Sequence, residues 1–484
     1  MRPQFLTLAA VVATVLLFFS SPSFAGDHFP NSRIVGHAGA AAQVTAVFGC
    51  ETLFFDPSLN LNGRVPCYGP SAIRAAYGLT WLIDAGINGA GRTIVILDAF
   101  GSPTASEDLQ AFDAAFGIPD PPSFKIVTMP GTPTFDENNF TQVFWAQEVS
   151  LDVQWAHAMA PGANIVLVAA ASNSDEDLLA GLNYAINNRL GDVISMSFGE
   201  SEARLADADG QRIVRKWERA FTRARERHMT VLVSSGDQGS TNCVDDTCNG
   251  VFAFQNVSYP ASSPQVTAVG GTNLRFGKDG HADPNGTYLG ETVWNDFSGA
   301  GGGGVSALFG RPDYQTGLPS SARRSLGMRR GVPDVAYSGG IVGGVVVHVG
   351  FGMFPGFRVM GGTSAGAAQW AGIIADLNQA LGRPLGFLNN RLYRLGQIAV
   401  RNRQEQERRG RAGLFRDIGL FHDITVGDNG FVGTTTEGDV VSIPGFNATP
   451  GWDLATGWGT PNFGALVTLF NDWDDDDDGS RHEQ

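Results

Sequence analysis

The stretch Thr93-Ile-Val-Ile-Leu-Asp98 is a short apolar run of the kind that forms a buried strand. It follows Gly91 closely and is the first of several similar runs separated by longer segments. The later runs cover residues 124–129, 164–169, 193–197 and 230–234. We therefore expect five successive strands in this half of the chain.

Helical patterns fill the segments between these strands, at residues 106–116, 141–159, 174–188 and 206–227. Segments of this length allow consecutive strands to run parallel, because a parallel pair needs a crossover connection of about a dozen residues or more. The predicted fold class is therefore α/β, with a mostly parallel central sheet flanked by helices.

The first 25 residues contain Arg2, then an apolar run over residues 5–19 and small residues up to Ala25. This order is typical of a secretory signal that is removed after Ala25. The apolar run is shorter than the roughly 20 residues that a membrane-spanning helix needs. We expect a secreted, extracellular protein that has no contact with the membrane once the signal is removed.

Four cysteines suit an exported protein, and sequence alone permits three ways of pairing them. Local loops close at low entropic cost, which favours Cys50 with Cys67 and Cys243 with Cys248. The alternative is a zinc site, but the sequence has no matching cluster of cysteine and histidine. Two structural disulfides are the prediction.

The formal net charge of the 484 residues is −15, and the segment 472–484 contributes −6 of it. An acidic protein is a poor partner for nucleic acid, because phosphate recognition depends on clustered lysine and arginine. Runs of like charge repel each other and are usually solvated, so the tail 472–484 is predicted to be disordered.

A serine opens a predicted helix in the segment Arg358-Val-Met-Gly-Gly-Thr-Ser-Ala-Gly366. At a helix N-terminus, free backbone N–H groups and the positive end of the helix dipole would stabilise a developing oxyanion beside Ser364. Ser364 is thus a candidate nucleophile. The alternative is a helix cap, the commonest role of serine at such a position.

Two carboxylates stand four residues apart in Phe144-Trp-Ala-Gln-Glu-Val-Ser-Leu-Asp-Val-Gln-Trp155. On a helix, Glu148 and Asp152 would share one face. The aromatic and apolar neighbours predict that this face is buried, so that the two acids interact and the pKa of one is raised. No histidine lies in a recognisable catalytic pattern, which leaves these carboxylates as the candidate base.

A series of motifs in a fixed order resembles the sedolisins, the serine-carboxyl peptidases with a subtilisin-like fold. The resemblance covers residue 68 to the end of the chain. The motifs are Glu148-x-x-x-Asp152, Ala160-Pro-Gly-Ala163, Ser234-Ser-Gly-Asp-Gln-Gly239, Tyr259-Pro-Ala-Ser-Ser-Pro264, Val269-Gly-Gly-Thr272 and Gly362-Thr-Ser364.

This resemblance implies a serine endopeptidase that acts through an acyl-enzyme on protein or peptide substrates. It implies Ser364 as the nucleophile, Glu148 as the general base, Asp152 as the group that orients Glu148, and Asp237 as the oxyanion donor. A glutamate base has an ordinary pKa near ~4.3, against ~6.5 for histidine, so activity in acid is expected. Asp237 can donate only when protonated, so alkali should inactivate the enzyme.

A second resemblance to the sedolisins, in their calcium site, lies in the segments 422–430 and 449–461. It implies one structural calcium ion bound by the carboxylates of Asp423 and Asp453 and by the backbone carbonyls of Ile424, Thr449 and Gly451. An all-oxygen set suits a hard cation, and a water would be the sixth ligand. Thr449 stands where the family usually has glycine. The alternative is two loops whose Asp, Asn and Gly only form turns.

The predicted organisation is a signal (1–25), an N-terminal arm or short pro-segment (26–67), a peptidase domain (68–471) and the acidic tail (472–484). A monomer is expected. Sedolisins usually carry a large folding prosegment, whereas the arm here has only about 40 residues. Two further departures are Gly361, where serine is common, and Phe198, where tryptophan is common; both would reshape substrate subsites.

Three alternatives remain open on the sequence. The segment Gly362-Thr-Ser-Ala-Gly366 also fits the nucleophile elbow of α/β-hydrolase esterases, for which His422 is the credible histidine. A subtilisin-like enzyme would use Asp98 as its acid but lacks the histidine segment, so Asp98 is predicted to be structural or supporting. A catalytically inactive protein with a peptidase fold is the third. His157 is predicted to be a packing or surface residue.

Overall fold

A computed structural model describes residues 29–30, 33–37, 47–52, 64–276, 288–352, 355–408 and 419–472. The predicted signal (1–25), the acidic tail beyond Asp472 and the side chain of Cys50 lie outside the described part of the chain. The predicted disulfide between Cys50 and Cys67 therefore stays a prediction. The other predicted disulfide, Cys243 with Cys248, is present.

Ten α-helices are described: α1 (Pro70–Ala76), α2 (Thr80–Asp84), α3 (Ala105–Phe116), α4 (Phe140–Met159), α5 (Asp175–Asn187), α6 (Ala208–Glu226), α7 (Ser320–Leu326), α8 (Thr363–Ala380), α9 (Asn389–Arg408) and α10 (Phe463–Asp472). None of the helices in the described part of the chain combines the length and the apolar composition that crossing a bilayer requires.

Strands β1 to β12 are β1 (Phe29–Pro30), β2 (Arg33–His37), β3 (Val47–Thr52), β4 (Arg64–Tyr68), β5 (Thr93–Ala99), β6 (Phe124–Thr128), β7 (Asn164–Ala170), β8 (Val193–Met196), β9 (Phe198–Ser201), β10 (Thr230–Ser234), β11 (Ser258–Tyr259) and β12 (Thr267–Phe276). Strands β13 to β24 are β13 (Tyr288–Val293), β14 (Asn295–Asp296), β15 (Gly299–Ala300), β16 (Gly304–Gly310), β17 (Arg329–Val332), β18 (Val335–Ser338), β19 (Gly344–Val349), β20 (Gly356–Gly361), β21 (Phe421–His422), β22 (Phe431–Thr434), β23 (Val440–Ile443) and β24 (Thr460–Pro461).

The central sheet confirms the predicted α/β class. Its strand order is β13-β12-β10-β8-β5-β7-β6, and β18 also pairs with β12. All of these pairs are parallel except β12 with β13. The five strands predicted from apolar runs are β5, β6, β7, β8 and β10, so the predicted rhythm of strands and helices is correct.

Alternate residues of the central strands face opposite layers of helices, as the two-residue period of a strand requires. In β5, Ile94 and Ile96 pack into the core beneath α4 and α8, whereas Val95 and Leu97 pack into the core beneath α5 and α6. By the same alternation Asp98 points to the side of α4 and α8. The sheet position of Asp98 thus aims its carboxyl group at the helices that carry Glu148 and Ser364.

Polar side chains fix where these helices begin. The Asn139 side chain accepts a hydrogen bond from the Gln142 amide and caps α4, and Ser174 caps α5 in the same way. The sequence predicted one helix over residues 206–227. In the structure a short 3₁₀ turn over Glu202–Leu205 precedes α6, because Asp207 accepts from the Gly210 amide and starts the α-helix there.

The described parts of the N-terminal arm form strands rather than an isolated extended segment. Strands β2, β3 and β4 close a small barrel with β19 and β20 in the order β19-β20-β2-β3-β4. Strand β1 pairs separately with β9. The arm is therefore part of the folded molecule, and β2 lies directly beside the strand that leads into Ser364.

Candidate active site

Several polar residues lie at or follow the carboxyl ends of neighbouring parallel strands. Asp98 lies at the end of β5, Ser197 follows β8, and the segment 235–239 follows β10. Because β5, β8 and β10 are adjacent and parallel, these residues meet at one edge of the sheet.

Helix α4 carries the two predicted acids on a completely buried face. Glu148 and Asp152 both have no exposed surface, although solvated charges are the usual finding on helices. The helix packs against α8 and against β5. The burial that the aromatic neighbours indicated is confirmed.

A third carboxylate, Asp98, completes this acidic cluster. Burial raises its pKa to about 8, and neither of its carboxylate oxygens has a hydrogen-bond donor among the described residues. Burial also raises the pKa of Asp152 well above its ordinary value, and the negative charges of Asp98 and Glu148 raise it further. The nearby Ser197 hydroxyl lowers the pKa of Asp152 and so acts in the opposite direction. The cluster therefore holds protons that ordinary carboxylic acids would lose.

Ser364 lies in the first turn of α8, as predicted, and is fully buried. Gly362 precedes the helix with φ of +130°, a conformation that only glycine adopts without strain. The Ser364 hydroxyl donates to the backbone carbonyl of Ser197 at 3.4 Å. Ser197 thus accepts from Ser364 through its carbonyl, and its hydroxyl lies near Asp152 without a hydrogen bond to it, which places the serine beside the acidic cluster.

Asp237 is bound to the residue next to Ser364. Its Oδ1 accepts hydrogen bonds from both the amide and the hydroxyl of Thr363, each at 2.9 Å. The Thr363 hydroxyl in turn accepts from the Gly236 amide at 3.1 Å. Since two donors engage Oδ1, a proton on this carboxyl group would reside on Oδ2. The fold therefore closes a sequence gap of 126 residues to place Asp237 beside the predicted nucleophile.

The glycine-rich segment 299–304 packs against the backbone around Asp237. The Ala300 amide donates to the Asp237 carbonyl at 3.0 Å, and the Gly302 amide donates to the Gly236 carbonyl at 2.7 Å. A Cβ atom on Gly302 would overlap the Ser235 carbonyl oxygen. Glycine is needed here so that the two backbones can pack closely, and this packing holds the segment 235–239 in place.

Comparisons with known proteins agree with this geometry. The model of the subtilase family matches residues 137–400. Kumamolisin from Bacillus sp. (strain MN-32) is 32% identical over 442 residues, an alignment that covers 88% of this chain and 70% of kumamolisin. The chain belongs to the sedolisin family. It is accordingly a serine peptidase with a subtilisin-like fold.

A solved structure supports the same assignment to the sedolisins. Pseudomonas sedolisin, a serine-carboxyl proteinase in complex with two molecules of pseudo-iodotyrostatin, superimposes with a TM-score of 0.65 at 26% identity, covering 84% of this chain and 98% of that one. Tripeptidyl-peptidase 1 from Mus musculus is 34% identical over 346 residues, which cover 67% of this chain. The alignment covers only 52% of that protein.

Two residues that the sequence reasoning did not single out join this sedolisin site together. Ser197 accepts the hydrogen bond from Ser364 and lies near Asp152, and Thr363, the neighbour of Ser364 in the chain, donates to Asp237. The position of Ser197 at the end of a predicted strand was the available signal, because sites in parallel sheets form at the carboxyl ends of strands. Thr363 gave no signal beyond its place next to Ser364.

The histidines of the alternative interpretations have other contacts. His422, which an esterase would require, stacks on the Tyr288 ring with a centroid distance of 4.0 Å. His157 is buried in α4 and contacts the Pro119 carbonyl at 2.9 Å and the Asp113 carboxylate at 3.3 Å. Its predicted packing role is confirmed.

The two departures from the sedolisin pattern have structural explanations. A Cβ atom on Gly361 would lie 2.8 Å from the Gly339 carbonyl oxygen, so a serine does not fit without a shift. Phe198 is fully buried and packs between the rings of Trp145 and Trp217. Its ring therefore packs in the core between these tryptophans, and the expectation that this replacement reshapes a substrate subsite stays a prediction.

The predicted calcium ligands lie in two loops that touch. Asp423 accepts from the Gly451 amide at 3.0 Å, and Asp453 accepts from the Thr449 amide at 2.8 Å. Burial raises the pKa of Asp453 to about 7, and burial also raises the pKa of Asp423. Burial disfavours the ionised form of both Asp423 and Asp453, and a positive charge close to both would stabilise that form.

The backbone oxygens test whether a cation fits these loops. Among the hydrogen bonds of the described residues, none is accepted by the carbonyl groups of Ile424, Thr449 or Gly451. Arg403 contacts Asp423 at 2.5 Å, but more than half of its side chain is exposed, so it can move aside. No group of three or more acidic, cysteine or histidine side chains in the described part of the chain is placed to hold a metal ion. The five residues nevertheless fit an oxygen-ligated cation, because carbonyl groups supply most of the set.

Proposed function

We propose that this sedolisin-family chain is a secreted, acid-acting serine-carboxyl endopeptidase that hydrolyses protein or peptide substrates through an acyl-enzyme on Ser364. The supporting observation is the direct bonding of Asp237 to Thr363 beside Ser364, at the edge where the buried acids of α4 also lie. Secretion rests on the apolar segment within residues 1–25, and we propose a monomer that binds neither nucleic acid nor membrane.

In the first step the Ser364 hydroxyl attacks the substrate carbonyl, and Glu148 accepts its proton. Glu148 fits this role because it is fully buried on the same helix face as Asp152. Asp152 orients Glu148, and a proton retained within the acidic cluster prevents the mutual repulsion of three buried charges. Asp98 supports Asp152 from the strand side.

The tetrahedral intermediate carries a negative oxygen that needs a donor. With Oδ1 of Asp237 engaged by Thr363, a protonated Oδ2 donates to this oxygen. Backbone N–H groups at the start of α8 add to the same field. Collapse of the intermediate returns the proton from Glu148 to the leaving amine and leaves the acyl group on Ser364.

Water then hydrolyses the ester, with Glu148 acting again as the base. The cycle needs an ionised Glu148 and a protonated Asp237 at the same time. The pH range is therefore acidic, since alkali removes the proton that Asp237 donates.

A structural calcium ion is the proposed partner of Asp423, Ile424, Thr449, Gly451 and Asp453. When bound, it supplies positive charge that offsets the burial of two carboxylates and ties the two loops together. These residues lie on the loops that follow β21 and precede β24. Their proposed contribution is to hold these two loops together. The domain limits 68–471, the arm 26–67 and the tail 472–484 remain as proposed from the sequence.

Digestion of an unfolded protein tests the function. Purified wild type and Ser364→Ala are incubated with the substrate from pH 2 to 8, and the products are identified by mass spectrometry. We expect internal cleavage in acid by the wild type only. Release of tripeptides from the amino terminus would instead indicate the activity named for the mouse relative, and activity of Ser364→Ala would contradict the proposed nucleophile.

Thermal unfolding with and without chelator tests the calcium site. We expect chelation to lower the unfolding temperature of the wild type, and Asp453→Asn to remove that response. Asp428→Asn, which changes an acid in a neighbouring turn, should leave the response intact. If the chelator leaves the unfolding temperature of the wild type unchanged, the proposed calcium site is wrong.

A further inference from the structure

The asparagine just before β22 contacts the glycine-rich segment that packs against Asp237. Asn429 is fully buried, and its side-chain amide donates to the carbonyl groups of Gly301 and Gly303, each at 3.2 Å. Its Oδ1 accepts from the Phe446 amide at 2.8 Å. These bonds use both N–H groups of the amide and its oxygen. The side chain therefore joins the glycine-rich segment to the base of the hairpin formed by β22 and β23.

The main chain of Asn429 contacts the residues that follow Asp237. The Ser240 amide donates to the Asn429 carbonyl oxygen at 2.9 Å. A Cβ atom on Gly239 would lie 2.3 Å from the same oxygen, and Gly239 has a φ of +60°. Glycine is required at this position because Asn429 comes so close. Asn429 thus contacts the end of the segment 235–239 through its backbone and the glycine-rich segment through its side chain.

The segment 300–303 lies between the Asn429 side chain and the backbone of Asp237. Ala300 forms two backbone hydrogen bonds on the side of Asp237: its amide donates to the Asp237 carbonyl at 3.0 Å, and its carbonyl accepts from the Gly239 amide at 2.8 Å. The carbonyl groups that accept from Asn429 belong to the alternate residues of the segment, as the two-residue period of an extended chain requires. Asn429 and the backbone of Asp237 are therefore bonded to opposite sides of one extended segment.

The place of the Asp237 carboxyl group depends on this backbone. An oxyanion donor stabilises the transition state only within hydrogen-bond distance, and a displacement of about 1 Å can lower the rate by about 10²-fold. Residues 301–304 are four consecutive glycines, the residue type with the greatest conformational freedom. Such a segment needs hydrogen bonds on both of its sides to hold Asp237 in one position.

We propose that Asn429 is a positioning residue for catalysis: its amide holds the segment 300–303 against the backbone of Asp237 and so keeps the oxyanion donor in place. This inference rests on the proposed peptidase function. Asn429 acts through Asp237 and not on the substrate itself. Its loss should lower kcat more than it changes KM, because the oxyanion that Asp237 stabilises develops only in the transition state.

Steady-state kinetics of Asn429→Ala tests the proposal. Alanine removes three hydrogen bonds, and we expect kcat to fall about tenfold or more while KM changes less than about threefold. The matched control is Asn389→Ala, at another fully buried asparagine, whose amide bonds to Val266 and Thr267 at the start of β12. Both variants should have a lower unfolding temperature, but Asn389→Ala should keep the kcat of the wild type. An unchanged kcat in Asn429→Ala, or an equal loss in both variants, would overturn the inference.

A double variant separates positioning of Asp237 from a general effect on the fold. If Asn429 acts through Asp237, Asn429→Ala should lower kcat strongly in the wild type but by less than about twofold in Asp237→Ala, where the donor is already absent. The same loss of kcat in both backgrounds would overturn the inference. If Asp237→Ala itself turns over normally, or if the wild type cleaves no peptide, the proposed function is wrong instead.

Asn429→Asp provides a second measurement that does not depend on the folding of the alanine variant. Aspartate has nearly the same shape, and one of its oxygens can still accept from the Phe446 amide. The other oxygen can donate to a carbonyl group only when it is protonated, and it repels both carbonyl groups when it is ionised. We therefore expect kcat of Asn429→Asp, divided by kcat of the wild type at the same pH, to fall as the pH rises from 3 to 6. This division removes the pH dependence that Glu148 and Asp237 give to both proteins. A ratio that stays near one at every pH would overturn the inference.

Discussion

Two buried carboxylates of this molecule, Asp334 and Asp98, have the same burial and opposite surroundings. Asp334 is fully buried and receives both arms of the Arg330 guanidinium, at 2.8 and 2.6 Å. The Tyr393 hydroxyl and the Ala268 amide donate to it as well, each at 2.8 Å. Asp98 is equally buried, has no donor among the described residues, and faces Asp152.

The difference shows how one fold uses buried acids in two ways. Around Asp334 every cost of burial is offset by a paired charge or a hydrogen bond, so the acid joins β12, β17 and α9 into one structure. Around Asp98 and Asp152 no such partner among the described residues offsets the cost of burying a negative charge, and the raised pKa values favour the protonated, neutral acids. A site that holds protons is suited to moving them, and it contributes little to stability.

Removing Asp334 should have the largest effect on stability. In Asp334→Ala the buried Arg330 loses its counter-charge, and breaking a buried pair from one side costs about 3–5 kcal/mol. Denaturant unfolding of Asp334→Ala should show this loss, while Asp313→Ala, at an exposed acid nearby, should resemble the wild type. If the free energy of unfolding of Asp334→Ala falls by less than about 1 kcal/mol, Asp334 does not stabilise the fold in the way its contacts with Arg330 indicate.

Removing Asp237 should instead affect turnover. Loss of one oxyanion donor typically costs about 2.7–4 kcal/mol of transition-state stabilisation, a decrease of about 10²–10³-fold in kcat. Steady-state kinetics of Asp237→Ala measures it, and circular dichroism checks that the variant is folded. Near-normal turnover would exclude Asp237 as the donor.

Replacing Asp98 should change how stability depends on pH. The pKa of Asp98 is about 8 in the folded protein and 3.8 in its ordinary state, so between these values only the folded chain keeps the proton. Stability is then greatest in acid and falls as pH rises, by about 1.4 kcal/mol per pH unit for one such group. Asp98→Asn stays neutral and should flatten this fall, measured by unfolding from pH 4 to 8. An unchanged slope would show that Asp98 is ionised.

The sequence was sufficient to predict the regular secondary structure, in which residues recur with the period of a strand or a helix. Apolar runs such as Thr93-Ile-Val-Ile-Leu-Asp98 determine strands of the central sheet, and the spacing of Glu148 and Asp152 determines their common helix face. Both follow from local periodicity. The order of motifs then identified the family, which the comparison with kumamolisin confirms.

Contacts between distant segments could not be predicted in this way. Strands β1 and β2 have two and five residues, and the strands β9 and β20 with which they pair lie more than 160 residues further along the chain. Nothing in so short a segment specifies its partner, because strand pairing depends on which edges the rest of the fold leaves open. The same holds for Phe198, because its place in the sequence does not show that its ring packs between Trp145 and Trp217.

The dependence of kcat/KM on pH in Glu148→Gln tests the central claim, that buried carboxylates activate Ser364. The matched control is Glu226→Gln, which changes an exposed glutamate at the end of α6. We expect the wild type and the control to share one acidic profile between pH 2 and 8, and Glu148→Gln to be folded but inactive throughout. Activity of folded Glu148→Gln with the profile of the wild type would contradict the account.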